Sequence, residues 1–146
     1  MTGRSPVTHC VSAVCAVGAD QAMAFLSDGA KLGNWALGSL ATEHLGNGIF
    51  RGRSIDSGEL VFSRLVPDRE RGIVRYEVGT TADQLSPWIW SIVQPCDRLG
   101  GSGRQTVITL LAWRPASMSD SAWEMLQREH EVEILIIKAQ LEREVG

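Results

Sequence analysis

The spacing of hydrophobic and polar positions predicts a strand and then two short helices at the start of the chain. The segment Val7–Val17, VTHCVSAVCAV, is rich in β-branched residues and predicts a strand that Gly18 ends. In the next segment, ADQAMAFLSDGAKLGNWALG, the hydrophobic residues follow helical spacing. Asp20 is a candidate cap for the first helix and Gly29 a candidate stop, and a second short helical turn precedes Trp35.

Six strand-like segments follow, between positions 39 and 113. Turn signals separate them: GNG at 46–48, DSG at 56–58, the charged turn DRERG after Pro67, the loop TTADQLSP and the glycine-rich CDRLGGSG. Because short links join antiparallel neighbours, this pattern predicts an antiparallel meander. The six segments are SLATEHL, IFRGRSI, ELVFSRLV, IVRYEV, WIWSIVQP and RQTVITLLAW.

A long amphipathic helix is predicted from about Ser119–Ser121 to Val145. Ser121 and Glu124 have the S-x-x-E spacing of a capping box. A helix of roughly 25 residues rises about 38 Å, and only the face of a sheet offers an apolar surface of that length. The stripe contains Trp123, Leu126, His130, Ile134, Ile137 and Leu141, widened by Leu135 and Ile136, and the opposite side carries Arg128, Glu129, Glu131, Lys138 and Glu142.

This order of elements resembles the Bet v 1-like or START-like (SRPBCC) superfamily, which includes polyketide cyclase/dehydrase and lipid-transport proteins. The early strand Val7–Val17, the helical segment at 19–38 with Trp35, and the terminal helix carry the resemblance, which spans nearly the whole chain. It implies an α+β helix-grip fold in one domain, residues 1–146. A curved seven-stranded antiparallel sheet would wrap around the long C-terminal helix, two short helices would follow the first strand, and a cavity would lie between sheet and helix.

Composition and charge narrow the classes of partner. The net charge is −3 without a cluster of Lys or Arg, so we expect no nucleic-acid partner. No hydrophobic run approaches the roughly 18 residues of a membrane span, and the N-terminus lacks the pattern of a signal peptide. Three cysteines, Cys10, Cys15 and Cys96, without CxxC spacing favour reduced thiols over a disulfide framework. We therefore expect a cytoplasmic protein.

Alternation along the strands gives a candidate lining for the cavity. In IVRYEV, Tyr76 faces inward with Val74 and Val78, and in ELVFSRLV an inward Phe62 brings Arg64 to the cavity or its rim. The direction of RQTVITLLAW stays open, because neither of its faces is polar. Ordinary core packing is the competing interpretation for each aromatic residue. The predicted ligand-binding residues are Trp35, Phe50, Phe62, Arg64, Tyr76, Trp90, Leu126, His130 and Ile134.

The histidines leave several interpretations open. His130 is a general acid or base, an anchor for a ligand oxygen, or a hydrogen-bonded residue of the core or rim. A base needs an orienting partner, for which Glu43 and Glu133 are candidates, although Glu133 also fits a solvent-facing position. His44 faces either the cavity or solvent, and His9 is interpreted as structural.

The sequence holds no motif for a metal, a nucleotide or a serine nucleophile. The scattered His and Cys residues lack metal-ligand spacing, GNGIFRG is not a dinucleotide fingerprint, and LGGSGRQT lacks the Lys-Ser/Thr pair of a P-loop. We therefore expect no metal and no cofactor, and the catalytic residues stay unknown.

Three functions remain open after these exclusions, and whether the protein is an enzyme is uncertain. The first is binding of a hydrophobic or amphipathic small molecule in the cavity. The second, which the resemblance implies, is a polyketide cyclase/aromatase-like enzyme using Arg64, Tyr76 and His130. The third is a protein-interaction module of the Hsp90 co-chaperone type. A homodimer is a further candidate assembly, formed through an exposed strand or through the edge rich in tryptophan, Trp88, Trp90 and Trp113.

Overall fold

The computed structural model describes residues 7–145, with Val145 described by its backbone alone, and the loose end expected at residues 1–6 lies outside this range. Seven strands and three α-helices follow each other in the predicted order, and a single 3₁₀ turn, Cys96–Arg98, separates the last two strands. The elements are β1 Thr8–Cys15, α1 Ala19–Leu26, α2 Gly29–Trp35, β2 Leu40–Gly46, β3 Ile49–Arg53, β4 Leu60–Asp68, β5 Ile73–Gly79, β6 Ser86–Pro95, β7 Thr106–Trp113 and α3 Asp120–Val145.

All seven strands form one antiparallel sheet in the order β1-β7-β6-β5-β4-β3-β2. Strands β2 to β7 are a meander of consecutive neighbours, whereas β1 closes the sheet by pairing with β7, from Thr8 opposite Trp113 to Cys15 opposite Thr106. The long helix α3 lies along one face and packs mainly against β1. The predicted helix-grip fold, with two short helices after the first strand, is confirmed.

The hydrophobic core lies between α3 and the sheet face that it covers. Burial of the apolar side chains in this core stabilises the fold by roughly 25 cal/mol for each Å² of apolar area removed from water. The helix α1 packs mainly against β6, and α2 packs mainly against β2. The buried members include Met23, Phe25, Leu26, Leu32, Trp35, Val74, Tyr76, Ile108, Leu110, Ile134, Ile137 and Leu141.

The helix ends differ from the sequence prediction. Ser119, not Ser121, caps α3: its carbonyl oxygen accepts from the Trp123 amide and its hydroxyl accepts from the Ala122 amide at 3.2 Å. The capping box predicted from Ser121 and Glu124 is therefore wrong by two residues. Asp20 lies inside the first turn of α1 and is not its cap.

Gly29 is the first residue of α2 and does not stop α1, which ends at Leu26. Asp28 caps α2, because its Oδ1 accepts from the Ala30 amide at 3.0 Å. A side chain at position 29 would meet the ring of Phe50, so glycine here permits the close approach of α2 to the sheet.

Two further properties concern the helices and the cysteines. Within residues 7–145 no helix is both long enough and apolar enough to cross a membrane. The three cysteines are free thiols, Cys10 exposed and Cys15 and Cys96 buried.

Candidate functional site

A cavity of about 100 Å³ lies between α3 and the covered face of the sheet, and it is open to solvent on one side. Its walls come from α2 and the loop after it, from the middle of β4, β5 and β6, and from the first half of α3. Most of the lining surface is apolar. The lining residues are Leu32, Trp35, Ala36, Gly38, Ser39, Val61, Ser63, Tyr76, Val78, Ile89, Leu126, Glu129, His130 and Glu133.

Four of the residues predicted to bind a ligand line this cavity: Trp35, Tyr76, Leu126 and His130. The rings of Trp35 and Tyr76 meet edge to face, with centroids 5.8 Å apart. The Tyr76 hydroxyl donates to the Leu26 carbonyl at 2.8 Å and lies 3.1 Å from the Ser91 hydroxyl. Burial raises the pKa of this phenol above its usual value. Tyr76 therefore presents its ring to the cavity, and its hydroxyl group is committed to the core.

The predicted facing of Phe62 and Arg64 is wrong. Ser63 lies opposite Val78 in the register of β4 and β5, and its side chain is buried towards the cavity. Because side chains alternate along a strand, Phe62 and Arg64 point to the other face, where Arg64 is exposed and lies 3.8 Å from Glu77. The bulk of Phe62 suggested an inward position, but the inward position belongs to a small serine.

Trp90 also lies on the outer face of the sheet. It is opposite Arg75 in the register, its indole nitrogen donates to the Pro87 carbonyl at 3.1 Å, and its ring meets Trp113 edge to face at 5.2 Å. The prediction that it lines the cavity is wrong. With Trp88, which is exposed, these tryptophans form an outer groove that the cavity does not reach.

Phe50 and Ile134 lie on the covered side but do not line the cavity. The Phe50 ring packs below Gly29 and stacks on His44 with centroids 4.8 Å apart, and it fills the space between α2 and the sheet. His44 itself is exposed, which settles its facing in favour of solvent. Ile134 is part of the hydrophobic core.

His130 and Glu133 form a buried pair on the cavity side of α3. Each residue is 4 % exposed, and the His130 Nε2 lies 3.7 Å from the Glu133 Oε1. The other carboxyl oxygen of Glu133 accepts from the Leu37 amide at 2.7 Å, which ties α3 to the loop after α2. The solvent-facing alternative considered for Glu133 is therefore wrong, and Leu135, expected in the stripe, is 62 % exposed.

Burial keeps both members of the pair uncharged near neutral pH. It lowers the pKa of His130 to about 4, with His9 contributing in the same direction. It also raises the pKa of Glu133 to about 8, with the charge of Glu129 adding to the shift and the amides of Leu37 and Gly38 opposing it. Although the distance of 3.7 Å fits an ion pair, the desolvation of both groups favours a contact between a neutral imidazole and a carboxylic acid.

Several polar atoms in the cavity wall have no hydrogen-bond partner among residues 7–145. A buried polar atom without a partner costs about 1–3 kcal/mol, and native proteins leave few of them. Five of them belong to residues that line this single cavity, so the cavity wall brings together an unusual number of hydrogen-bonding groups without a protein partner. They are Trp35 Nε1, Ser39 Oγ, Ser63 Oγ, Glu129 Oε2 and His130 Nδ1.

The lining does not suit a metal ion. In the part of the chain from residue 7 to residue 145, no three His, Cys, Asp or Glu side chains come together as a metal site would need. Glu129 is half-buried, and burial raises the pKa of its carboxyl group, with the charge of Asp56 as the second cause. The chemistry that the site offers is hydrogen bonding and proton exchange.

Sequence reasoning missed Ser39, Ser63, Glu129 and Glu133 as lining residues. The position of Glu133, three residues after His130 and four after Glu129, was a usable signal, since residues three or four positions apart share a helical face. The two serines carry no such signal, because their burial depends on the register of the sheet and on the path of the loop after α2.

The seven-stranded sheet with its long C-terminal helix has the same fold as solved structures that include aromatase/cyclases and a START superfamily protein. Solved structures share this fold at low sequence identity, and no protein-family model and no curated protein matches the sequence.

One similar structure is the Zhui aromatase/cyclase from Streptomyces sp. R1128, with a TM-score of 0.68, 19 % identity and 95 % of each chain covered. Another is a START superfamily protein from Mycobacterium smegmatis, with a TM-score of 0.58, 12 % identity, and 95 % of this chain and 97 % of that chain covered. The di-domain aromatase/cyclase BexL matches with a TM-score of 0.66 and 14 % identity over 92 % of this chain and 46 % of its own.

Proposed function

We propose that this protein binds a small amphipathic molecule in the cavity between α3 and the sheet. The observation that carries the proposal is the group of five unpartnered polar atoms that belong to residues lining one cavity. The rest of the wall is apolar, with Val61, Val78, Ile89 and Leu126 beside the ring of Trp35. An apolar pocket with a few convergent polar groups is the usual form of a small-molecule site.

The volume of the cavity limits the size of the ligand. Pockets for drug-sized molecules span roughly 300–1,000 Å³, whereas this cavity has about 100 Å³. A molecule of about one ring fits, and a larger ligand would have to extend through the open side. This volume favours a compact ligand over a complete poly-β-keto chain.

An enzyme of the aromatase/cyclase kind is the second candidate. The specific observation in its favour is the uncharged pair His130 and Glu133, which combines a proton acceptor with a proton donor at the cavity wall near neutral pH. The likeness of the fold to Zhui agrees with this candidate. Arg64 no longer supports it, because its side chain lies on the outer face.

Native mass spectrometry of the freshly purified protein, followed by solvent extraction, tests the proposal. We expect one bound small molecule per chain. The protein should leave this molecule chemically unchanged, whereas an enzyme would convert it. The variant Ser63→Ala should lower affinity for that molecule at least fivefold and leave the melting temperature nearly unchanged, because the Ser63 hydroxyl has no protein partner among the described residues.

The matched control is Ser91→Ala, a buried serine that lies on the same face outside the cavity. Its hydroxyl is within 3.1 Å of the Tyr76 hydroxyl, so this variant should lose stability, by about 1 kcal/mol, and keep its affinity. An empty protein that also binds no compound from a panel of one-ring amphipathic molecules would contradict the proposal.

A further inference from the structure

The cavity wall lacks a permanently positive side chain among the residues that the structure describes. Its ionisable side chains are Tyr76, Glu129, His130 and Glu133, and none of the wall residues within the described range 7–145 is Lys or Arg. The arginines of the neighbouring strands, such as Arg64 and Arg75, lie on the outer face of the sheet. An anion in the cavity would therefore sit beside two carboxyl groups without a cation to pair with it. Burying an unpaired charge is strongly unfavourable.

An organic cation is disfavoured for a different reason. It would need an ionised carboxylate as partner, and one oxygen of Glu133 is already committed to the Leu37 amide while the other faces His130. Glu129 is half-buried, and burial acts against its ionisation as well. Part of the binding free energy of an ammonium group would thus be lost in ionising one of these acids.

Two side chains in the cavity wall show the same preference for the uncharged form. His130 would carry a positive charge and Glu133 a negative one, and burial shifts the pKa of each towards its neutral form. The apolar surroundings that act on these two groups act equally on any ligand between them. The unpartnered atoms, by contrast, suit a neutral oxygen: Trp35 Nε1 donates, and the hydroxyls of Ser39 and Ser63 donate or accept.

We infer that the cavity selects an uncharged one-ring ligand that carries a hydroxyl or carbonyl oxygen, held by Trp35, Ser39 and Ser63, and that it rejects anions and organic cations of the same size. This inference rests on the proposed function and adds the chemical class of the ligand to it.

A matched set of four probes tests the inference: benzyl alcohol, acetophenone, benzoate and benzylammonium. Their affinities would be measured on the full chain at pH 7 by calorimetry and by ligand-observed magnetic resonance. We expect at least one neutral probe to bind at least tenfold more tightly than either ion, with that affinity reduced at least fivefold in Ser63→Ala. An ion that binds as tightly as the neutral probes would overturn the charge preference and leave the proposed function standing. Failure of all four to bind to a protein that is purified with a small molecule would overturn the inference and leave the proposed function standing, whereas failure with a protein that is purified empty would count against both.

A substitution that supplies the missing cation gives a second measurement. Leu126 is half-buried at the cavity wall, so Leu126→Lys places an ammonium group at the wall while the rest of its side chain stays on apolar surface. We expect benzoate to gain at least tenfold in affinity. Leu135→Lys is the control on the same helix, because Leu135 is exposed and does not line the cavity. If Leu126→Lys folds and gains no affinity for benzoate over this control, the absence of a cation is not what excludes anions and the inference fails.

Discussion

Glu133 is an acidic residue whose side chain is almost completely removed from water. It is buried on α3, faces His130 on its own helix and Tyr76 on β5, accepts from the amide of Leu37, and has Glu129 one turn away. The contacts with the backbone amides of Leu37 and Gly38 hold the carboxyl group in place but do not offset the loss of hydration, so the proton stays bound to a higher pH than usual.

This proton links the stability of the protein to pH. The folded-state pKa of Glu133, about 8, lies above its ordinary value of 4.5, so the folded state binds the proton more tightly and stability falls as pH rises towards 8. His130 acts in the opposite direction, but its effect is complete above pH 6.5. We expect Glu133→Gln to remove this decline. From pH 6.5 to pH 8, the free energy of unfolding of wild type should fall by roughly 1.5 kcal/mol relative to that of the variant.

Urea unfolding at a series of pH values measures this difference. The control is Glu124→Gln, an exposed carboxylate on the same helix, whose pH profile should run parallel to that of wild type. A parallel profile for Glu133→Gln as well would mean that Glu133 is ionised in the folded protein.

At the scale of the element, α3 combines two functions along one face. Its second half buries Ile134, Ile137 and Leu141 in the core, whereas its first half turns Glu129 and His130 towards the cavity. The helix therefore does not present a purely apolar stripe to the sheet. A pattern of hydrophobic residues located the helix correctly but misjudged the edges of its buried face, because a polar side chain is tolerated where the face meets a cavity.

The N-terminal cap of α3 gives a prediction for this element. Ser119→Ala removes the hydroxyl that accepts from the Ala122 amide, and we expect a loss of about 1 kcal/mol in the free energy of unfolding. Ser121→Ala is the comparison, since Ser121 is exposed within the first turn, and its cost should be a few tenths of a kcal/mol at most. Chemical denaturation of both variants tests the assignment, and a larger loss for Ser121→Ala would restore the capping box.

For the molecule as a whole, the order and type of the elements followed from sequence, whereas the content of the cavity wall followed only in part. Clean alternation in IVRYEV placed Tyr76 and Val78 correctly. In ELVFSRLV both faces mix polar and apolar residues, so the inward position of Ser63 depends on pairing with β5, which the segment itself does not encode. The burial of Glu133 likewise depends on Leu37, 96 positions away in the sequence. Contacts of this range leave no periodic trace along the chain.

The pairing of β1 with β7 has a consequence for how the molecule folds. The hairpins of the meander from β3 to β7 bring together segments that are close in sequence. In contrast, β1 pairs with a strand more than half the chain away, and α3 packs mainly on β1. Contacts of long sequence separation form slowly. We expect pulsed hydrogen exchange during refolding to protect the amides of β4 and β5 before those of β1, and simultaneous protection would contradict this order. Until β1 and α3 are in place the cavity lacks a wall, so a ligand should slow unfolding and leave the rate of folding unchanged.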